Sequence, residues 1–312
     1  MEYERIKTLP KANCHLHLTG SFTVGEVRNL ARVLSIPIHN YEPLESKWFY
    51  ESETPWALLK GITSSSIGLM KAIRLVVDKE VLDGTEYLEL TINPSGMLRR
   101  GMTIVEISDV LLQSSFSAHS RGIVLKFKLG VNRKDGCDSI AVVRDVFLAC
   151  DPSIRISVDL NGNEEKFSTK SFLPLFKALS EEGIPTSIHV GESRNDDYMF
   201  EELLATRPQR LAHATLLTET DYTMIAKSNT LLEVAVTSNI STGIVSTLSL
   251  HPLRRMLDLG IKVVIGTDDP GLFNNSMSEE ILSLFEVGLT WSEIEAINNR
   301  GLALGNSRQL HV

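Results

Sequence analysis

The sequence predicts an α/β fold, a (β/α)8 barrel with extra helices over its C-terminal mouth. Three observations predict it. β-type runs and helical patterns alternate along the chain, which calls for parallel strands, because parallel neighbours need a crossover between them. The β-type runs number eight in 312 residues, which suits eight βα units in one barrel. No G-x-G-x-x-G follows the first run, which speaks against an open doubly wound sheet.

The eight runs are ANCHLHL (12–18), YLELTIN (87–93), IVLKFKLGVN (123–132), IRISVDLNG (154–162), TSIHVGE (186–192), RLAHAT (210–215), LLEVAVTSN (231–239) and KVVIGTDD (262–269). Helical periodicity is clearest over 103–120 and 169–183, the second stopped by Gly183 and Pro185. Residues 19–86 are too many for one βα connection. The apolar spacing over 56–84 predicts extra helices there, expected to lie over the mouth as a lid. Without repeats, low-complexity tracts or a linker, residues 1–312 read as a single domain.

Composition excludes several classes. The net charge is -8, and no Lys/Arg cluster stands out, which argues against nucleic-acid binding. No apolar run approaches a membrane span, and MEYERIKTLP has no signal-peptide apolar region. Cys14, Cys137 and Cys150 form no disulfide framework and read as reduced thiols of a cytoplasmic protein.

The chemistry lies at the strand ends, where barrel enzymes keep their active sites. His15 and His17 are two apart, so on a strand both point to one side. The fifth run ends in His189-Val190-Gly191-Glu192, the sixth carries His213, the seventh ends in Thr237-Ser238-Asn239, and the eighth in Asp268-Asp269. One such histidine would be an ordinary buried residue, and DDPG alone an ordinary turn. Four of the eight histidines at one end of a barrel are neither. Nitrogen and hard-oxygen donors without thiolate suit Zn²⁺ or Fe²⁺. The fourth run ends in Asp159-Leu160-Asn161-Gly162 with no lysine to bridge two ions, so one metal per chain is expected. Glu192, beyond the flexible Gly191, can face a substrate and move a proton, while His213 and Asp268 can hold and deprotonate a water.

LPKANCHLHLTGS (9–21), VDLNGNE (158–164), HVGES (189–193), RLAHAT (210–215), EVAVTSN (233–239) and GTDDPGLF (266–273) resemble, in order, the motifs of the adenosine deaminase family. The resemblance implies zinc on His15, His17, His189 and Asp268. It implies that Glu192 protonates purine N1, His213 orients the attacking water and Asp268 also accepts its proton. Asp269 would meet N7 and the Gly162 amide N3, with His17 and Thr19 near the substrate. The implied reaction is hydrolytic deamination at C6 of a 6-aminopurine nucleoside or nucleotide, releasing ammonia or an amine.

Departures bear on the substrate. Family members acting on free adenosine carry an acid where this chain has Thr19, and HLTGS is closer to the N6-methyl-AMP deaminase-like branch. Glu89-Leu90-Thr91 lacks the usual arginine, and Ala212 and Ala214 flank His213 where glycine is common. The alternatives are an adenine deaminase or a catalytically silent nucleoside-binding barrel. The expected partner is the small-molecule purine alone. The oligomeric state is open, a monomer included.

Overall fold

A computed structural model describes residues 2–36, 54–193 and 199–306. Eight parallel strands follow in chain order: β1 (Lys11–His17), β2 (Thr85–Ile92), β3 (Val124–Asn132), β4 (Arg155–Asn161), β5 (Thr186–Val190), β6 (Arg210–His213), β7 (Leu231–Val234) and β8 (Val263–Ile265). The barrel closes where the His17 amide donates to the Asp268 carbonyl at 2.9 Å and the Asp268 amide donates to the His15 carbonyl at 2.8 Å. The expected (β/α)8 barrel is the observed fold.

Alternation along the strands sorts the side chains. On β3, Leu125, Phe127 and Leu129 are buried in the main apolar core, while Lys126 and Lys128 turn the other way, into the barrel. That interior is ionic. Lys128 Nζ lies 2.5 Å from Glu233 Oε1 and 3.4 Å from Glu89 Oε2, and Arg210 bridges Glu233 at 2.9 Å and Glu89 at 2.6 Å. Glu89, two residues before the Thr91 that stands where the family has arginine, is therefore part of a buried charge network. Removing one partner of such a pair costs about 3–5 kcal/mol, because the other charge stays buried.

Two expectations change. The Ser66–Leu82 helix is not a lid: it packs against β2 and the Ile104–His119 helix. Leu69, Ala72, Ile73, Val76 and Val77 recur on one face and bury it in the outer ring. Among the described residues of this connection, the neighbouring Thr54–Ile62 helix reaches the mouth through Lys60, with Thr63 just beyond it. Residues 37–53 of this long connection lie outside the described part. The seventh run is shorter than its β-branched composition suggests, because Val236–Ser241 is helical. Among the described residues no helix is long and apolar enough to cross a membrane, and Cys14, Cys137 and Cys150 are free thiols.

Candidate active site

A cavity of about 500 Å³ opens at the C-terminal ends of the strands. His17, Thr19, Gly162, His189, Glu192, His213, Asp268 and Asp269 all line it, and His15 lies just beneath. All nine expected site residues therefore gather in one place.

The backbone takes unusual turns to put them there. His213 (φ 61°), Ala214 (φ 53°) and Asp268 (φ 60°) occupy the left-handed region, which non-glycine residues seldom adopt and which concentrates at functional sites. Gly20 allows the closest approach: a Cβ there would overlap the Asp269 carboxylate.

His15, His17 and His189 point their Nε2 atoms at one spot. His17 Nε2 stands 3.3 Å from His15 Nε2 and 3.2 Å from His189 Nε2. Asp268 Oδ1 lies 3.6 Å from the first and 3.5 Å from His17 Nε2. Second partners fix two of the rings. His15 Nδ1 faces Glu233 Oε2 at 2.8 Å, and His189 Nδ1 donates to the Leu160 carbonyl at 3.0 Å. Both Nε2 atoms then present lone pairs, and with the carboxylate they converge on a point that only a cation satisfies. Burial holds His17 neutral, its pKa lowered to about 3. Burial works against charge on His15 as well, but the hydrogen bonds its ring donates to Asp268 and Glu233 outweigh it and raise that ring to about 10. The local field favours positive charge, which a metal cation supplies equally well. The donor set thus fits a single metal ion of the zinc or iron type.

The residues expected to move protons stand beside this set. His213 Nε2 is 3.6 Å from Glu192 Oε1 and 4.0 Å from Asp268 Oδ2. Glu164 braces the Glu192 turn, accepting from the amides of Glu192 at 3.0 Å and Ser193 at 3.3 Å. Ser238 Oγ donates to Asp268 Oδ2 at 2.6 Å. Asp269 is buried, and its Oδ1 has no protein hydrogen-bond partner, a cost a bound ligand can relieve. The positive φ of Gly162, 93°, belongs to a turn whose carbonyl is held by Arg133 at 3.1 Å.

Residues 10–305 match the adenosine deaminase family model. The chain belongs to the adenosine deaminase family. That membership makes it a hydrolytic purine aminohydrolase. It is 28% identical over 297 residues to an adenosine deaminase-like protein of Drosophila pseudoobscura pseudoobscura, covering 90% of this chain and 86% of that protein. It is 25% identical to the N6-mAMP deaminase of Arabidopsis thaliana, covering 94% of this chain and 91% of that one. The fold matches the crystal structure of Arabidopsis ADAL complexed with IMP at a TM-score of 0.83 and 23% identity, over 98% of this chain and 94% of that one.

Sequence reasoning left several neighbours without a role. Glu233 and Ser238 stand in quoted motifs, but their contacts to His15 and Asp268 join residues 218 and 30 positions apart. Lys60, Arg99, Arg100, Lys134 and Lys166 line the same cavity, spread too widely along the chain to form a visible cluster. Asn239 Nδ2 is 3.1 Å from His213 Nδ1, and Asn239 Oδ1 is 3.1 Å from His251 Nε2. His251 carried no sequence signal beyond its residue type.

Proposed function

We propose that this chain hydrolyses the 6-amino or N6-substituted amino group of a purine 5′-monophosphate, with one zinc ion held by His15, His17, His189 and Asp268. The observation that carries the substrate class is the charge layout of the cavity. Its floor is acidic, with Glu192, Asp268 and Asp269, while Lys60, Arg99, Arg100, Lys134 and Lys166 line the rest against Asp135, which pairs with Arg99 at 2.9 Å. The Thr19–Ser21 turn packs against the Thr54–Ile62 helix, and the neutral Thr19 lines the same cavity as Lys60. A hydroxyl and an ammonium suit a phosphate, where a carboxylate at residue 19 would repel it. The Arabidopsis relatives, named for N6-mAMP and solved with IMP, support the same reading.

His15, His17, His189 and Asp268 would hold a zinc ion, which would supply Lewis acidity to make a water nucleophilic near neutral pH. Glu192 in its acid form gives its proton to purine N1 and draws electron density from C6. Asp268 accepts a proton from the water whose oxygen bonds to C6, and His213 donates a hydrogen bond to that oxygen. The C6–N bond then breaks as the leaving amine takes the proton held by Asp268, and the remaining C6–OH proton returns to Glu192, yielding the 6-oxo purine. Asp269 holds N7 and the Gly162 amide N3, which fixes the ring over the proton-moving groups. Residues 1–312 act as one deaminase domain in this reading.

The test is a side-by-side measurement of adenosine, deoxyadenosine, AMP, N6-methyl-AMP and adenine with the zinc-loaded chain. The nucleotides should show the higher kcat/KM. Thr19→Asp should move the nucleotide-to-nucleoside ratio toward adenosine by at least about tenfold. A wild-type preference for adenosine, with a ratio untouched by Thr19→Asp, would remove the phosphate from the reading.

A further inference from the structure

Behind His213 runs a chain of buried polar groups whose direction one backbone amide decides. Leu253 opens the Leu253–Asp258 helix, and its N–H lies 3.1 Å from His251 Nδ1. A backbone N–H can only donate, so His251 Nδ1 must be the lone-pair nitrogen. Burial lowers His251 to about 4, helped by the nearby His213, so at neutral pH its one ring proton sits on Nε2. That Nε2 stands 3.1 Å from Asn239 Oδ1, which also accepts from Thr215 Oγ1 at 3.1 Å. With two donors aimed at it, this end of the amide must be the oxygen. The amide nitrogen then faces His213 Nδ1 at 3.1 Å and donates to it. His213 Nδ1 is left without a proton, and Nε2 carries it.

Reversing any link sets donor against donor where water does not reach, since Thr215, Asn239 and His251 are all buried. The direction matters at the far end. His213 Nε2 faces Glu192 Oε1 at 3.6 Å and Asp268 Oδ2 at 4.0 Å. An N–H there is attracted to both carboxylates and can reach an oxygen on C6. The other tautomer would turn a lone pair toward them.

We propose that His251 is a positioning residue that acts through Asn239 to hold His213 as the Nε2–H tautomer. It rests on the reading of His213 as hydrogen-bond donor to the reacting oxygen. His251 touches neither substrate nor metal donors; it decides which nitrogen of the catalytic ring carries the proton. Its own anchor is the Leu253 amide, one of the first N–H groups of a helix and so lacking a partner within that helix.

The test is a long-range ¹H–¹⁵N correlation spectrum of the histidine rings in the metal-loaded full chain, with His251→Leu and His251→Gln compared. The wild type should show His213 and His251 both protonated at Nε2. His251→Leu should give a mixture of His213 tautomers. It should lower kcat by about 10–100-fold, the usual effect of losing a partner that orients a reactive group. KM should move less than kcat, and the metal content should stay at the wild-type value. His251→Gln keeps an amide donor toward Asn239 Oδ1 and should recover the single tautomer and most of the kcat. A wild-type His213 protonated at Nδ1 overturns the proposal even if no variant folds. So does an unchanged tautomer and kcat in His251→Leu. His213→Ala separates the two readings. Full activity in that variant would overturn the role of His213, while the ring spectra would still report whether His251 sets its tautomer.

Discussion

Second partners aim two of the three histidines of the candidate metal site, and Glu192 is separate from those partners. His15 leans on Glu233 and His189 on the Leu160 carbonyl, whereas Glu192 stands on the acidic cavity floor, outside the converging donor set. Substitutions should therefore divide cleanly. Glu192→Gln keeps the shape and loses the transferable proton. It should retain full metal content and lose about 10²–10⁴-fold in kcat. His189→Ala removes a donor and should lower metal content and activity together. Elemental analysis beside steady-state kinetics checks both. Normal turnover by Glu192→Gln would refute its role as proton donor.

At the scale of one element, the turn after β7 has the most consequences. The strand stops at Val234, and Glu280 reaches in from the Met277–Glu286 helix to accept from the amides of Val236 at 2.5 Å and Thr237 at 3.3 Å. That contact starts the Val236–Ser241 helix, which aims Ser238 at Asp268 and Asn239 at His213. Glu280→Ala would leave two amides unpaired and should destabilise the fold by about 1–3 kcal/mol. It should also lower kcat, because Ser238 and Asn239 both hang from this turn. Denaturant melts and kinetics on the same preparation measure the two effects. A normal kcat in a destabilised variant would show that other contacts hold the turn.

Across the whole molecule, two buried carboxyls link stability to pH. Burial raises Glu80 and Glu280 to about 7 despite the hydrogen bonds each accepts. In the unfolded chain a glutamate titrates near about 4.3. The folded state therefore holds more protons between these values, and stability falls as pH rises from about 4.3 to 7. Glu80→Gln and Glu280→Gln should each flatten this slope relative to wild type. Denaturant unfolding at pH 5 and pH 7.5 checks it, and parallel slopes in all three proteins would contradict it. A metal held by the candidate donors would have a similarly global effect, because they join β1, β5 and the end of β8. A ligand bound to the folded state at a thousandfold excess over its Kd adds about 4 kcal/mol. Chelation should therefore lower Tm measurably, and readdition of zinc should restore it.

The sequence by itself determined the barrel and the chemical class, and it named the candidate metal donors that the fold brings together. Parallel strands require crossovers, strand alternation points His15 and His17 the same way, and histidine and aspartate are residue types that can hold a metal where they converge. These are local properties, readable from residue type and spacing. Only the tertiary structure decided that Val-Ala-Val-Thr leaves the sheet after Val234, since the stop comes from Glu280 more than forty residues away. It also placed the Ser66–Leu82 helix in the outer ring, because its apolar stripe is buried against β2 and the Ile104–His119 helix. The cations of the cavity, the Glu233 contact to His15 and the path from His251 to His213 likewise join groups far apart in the chain. A hydrogen bond needs its two partners within about 3 Å and a defined direction, and neither distance nor direction between remote residues is written in one chain's order.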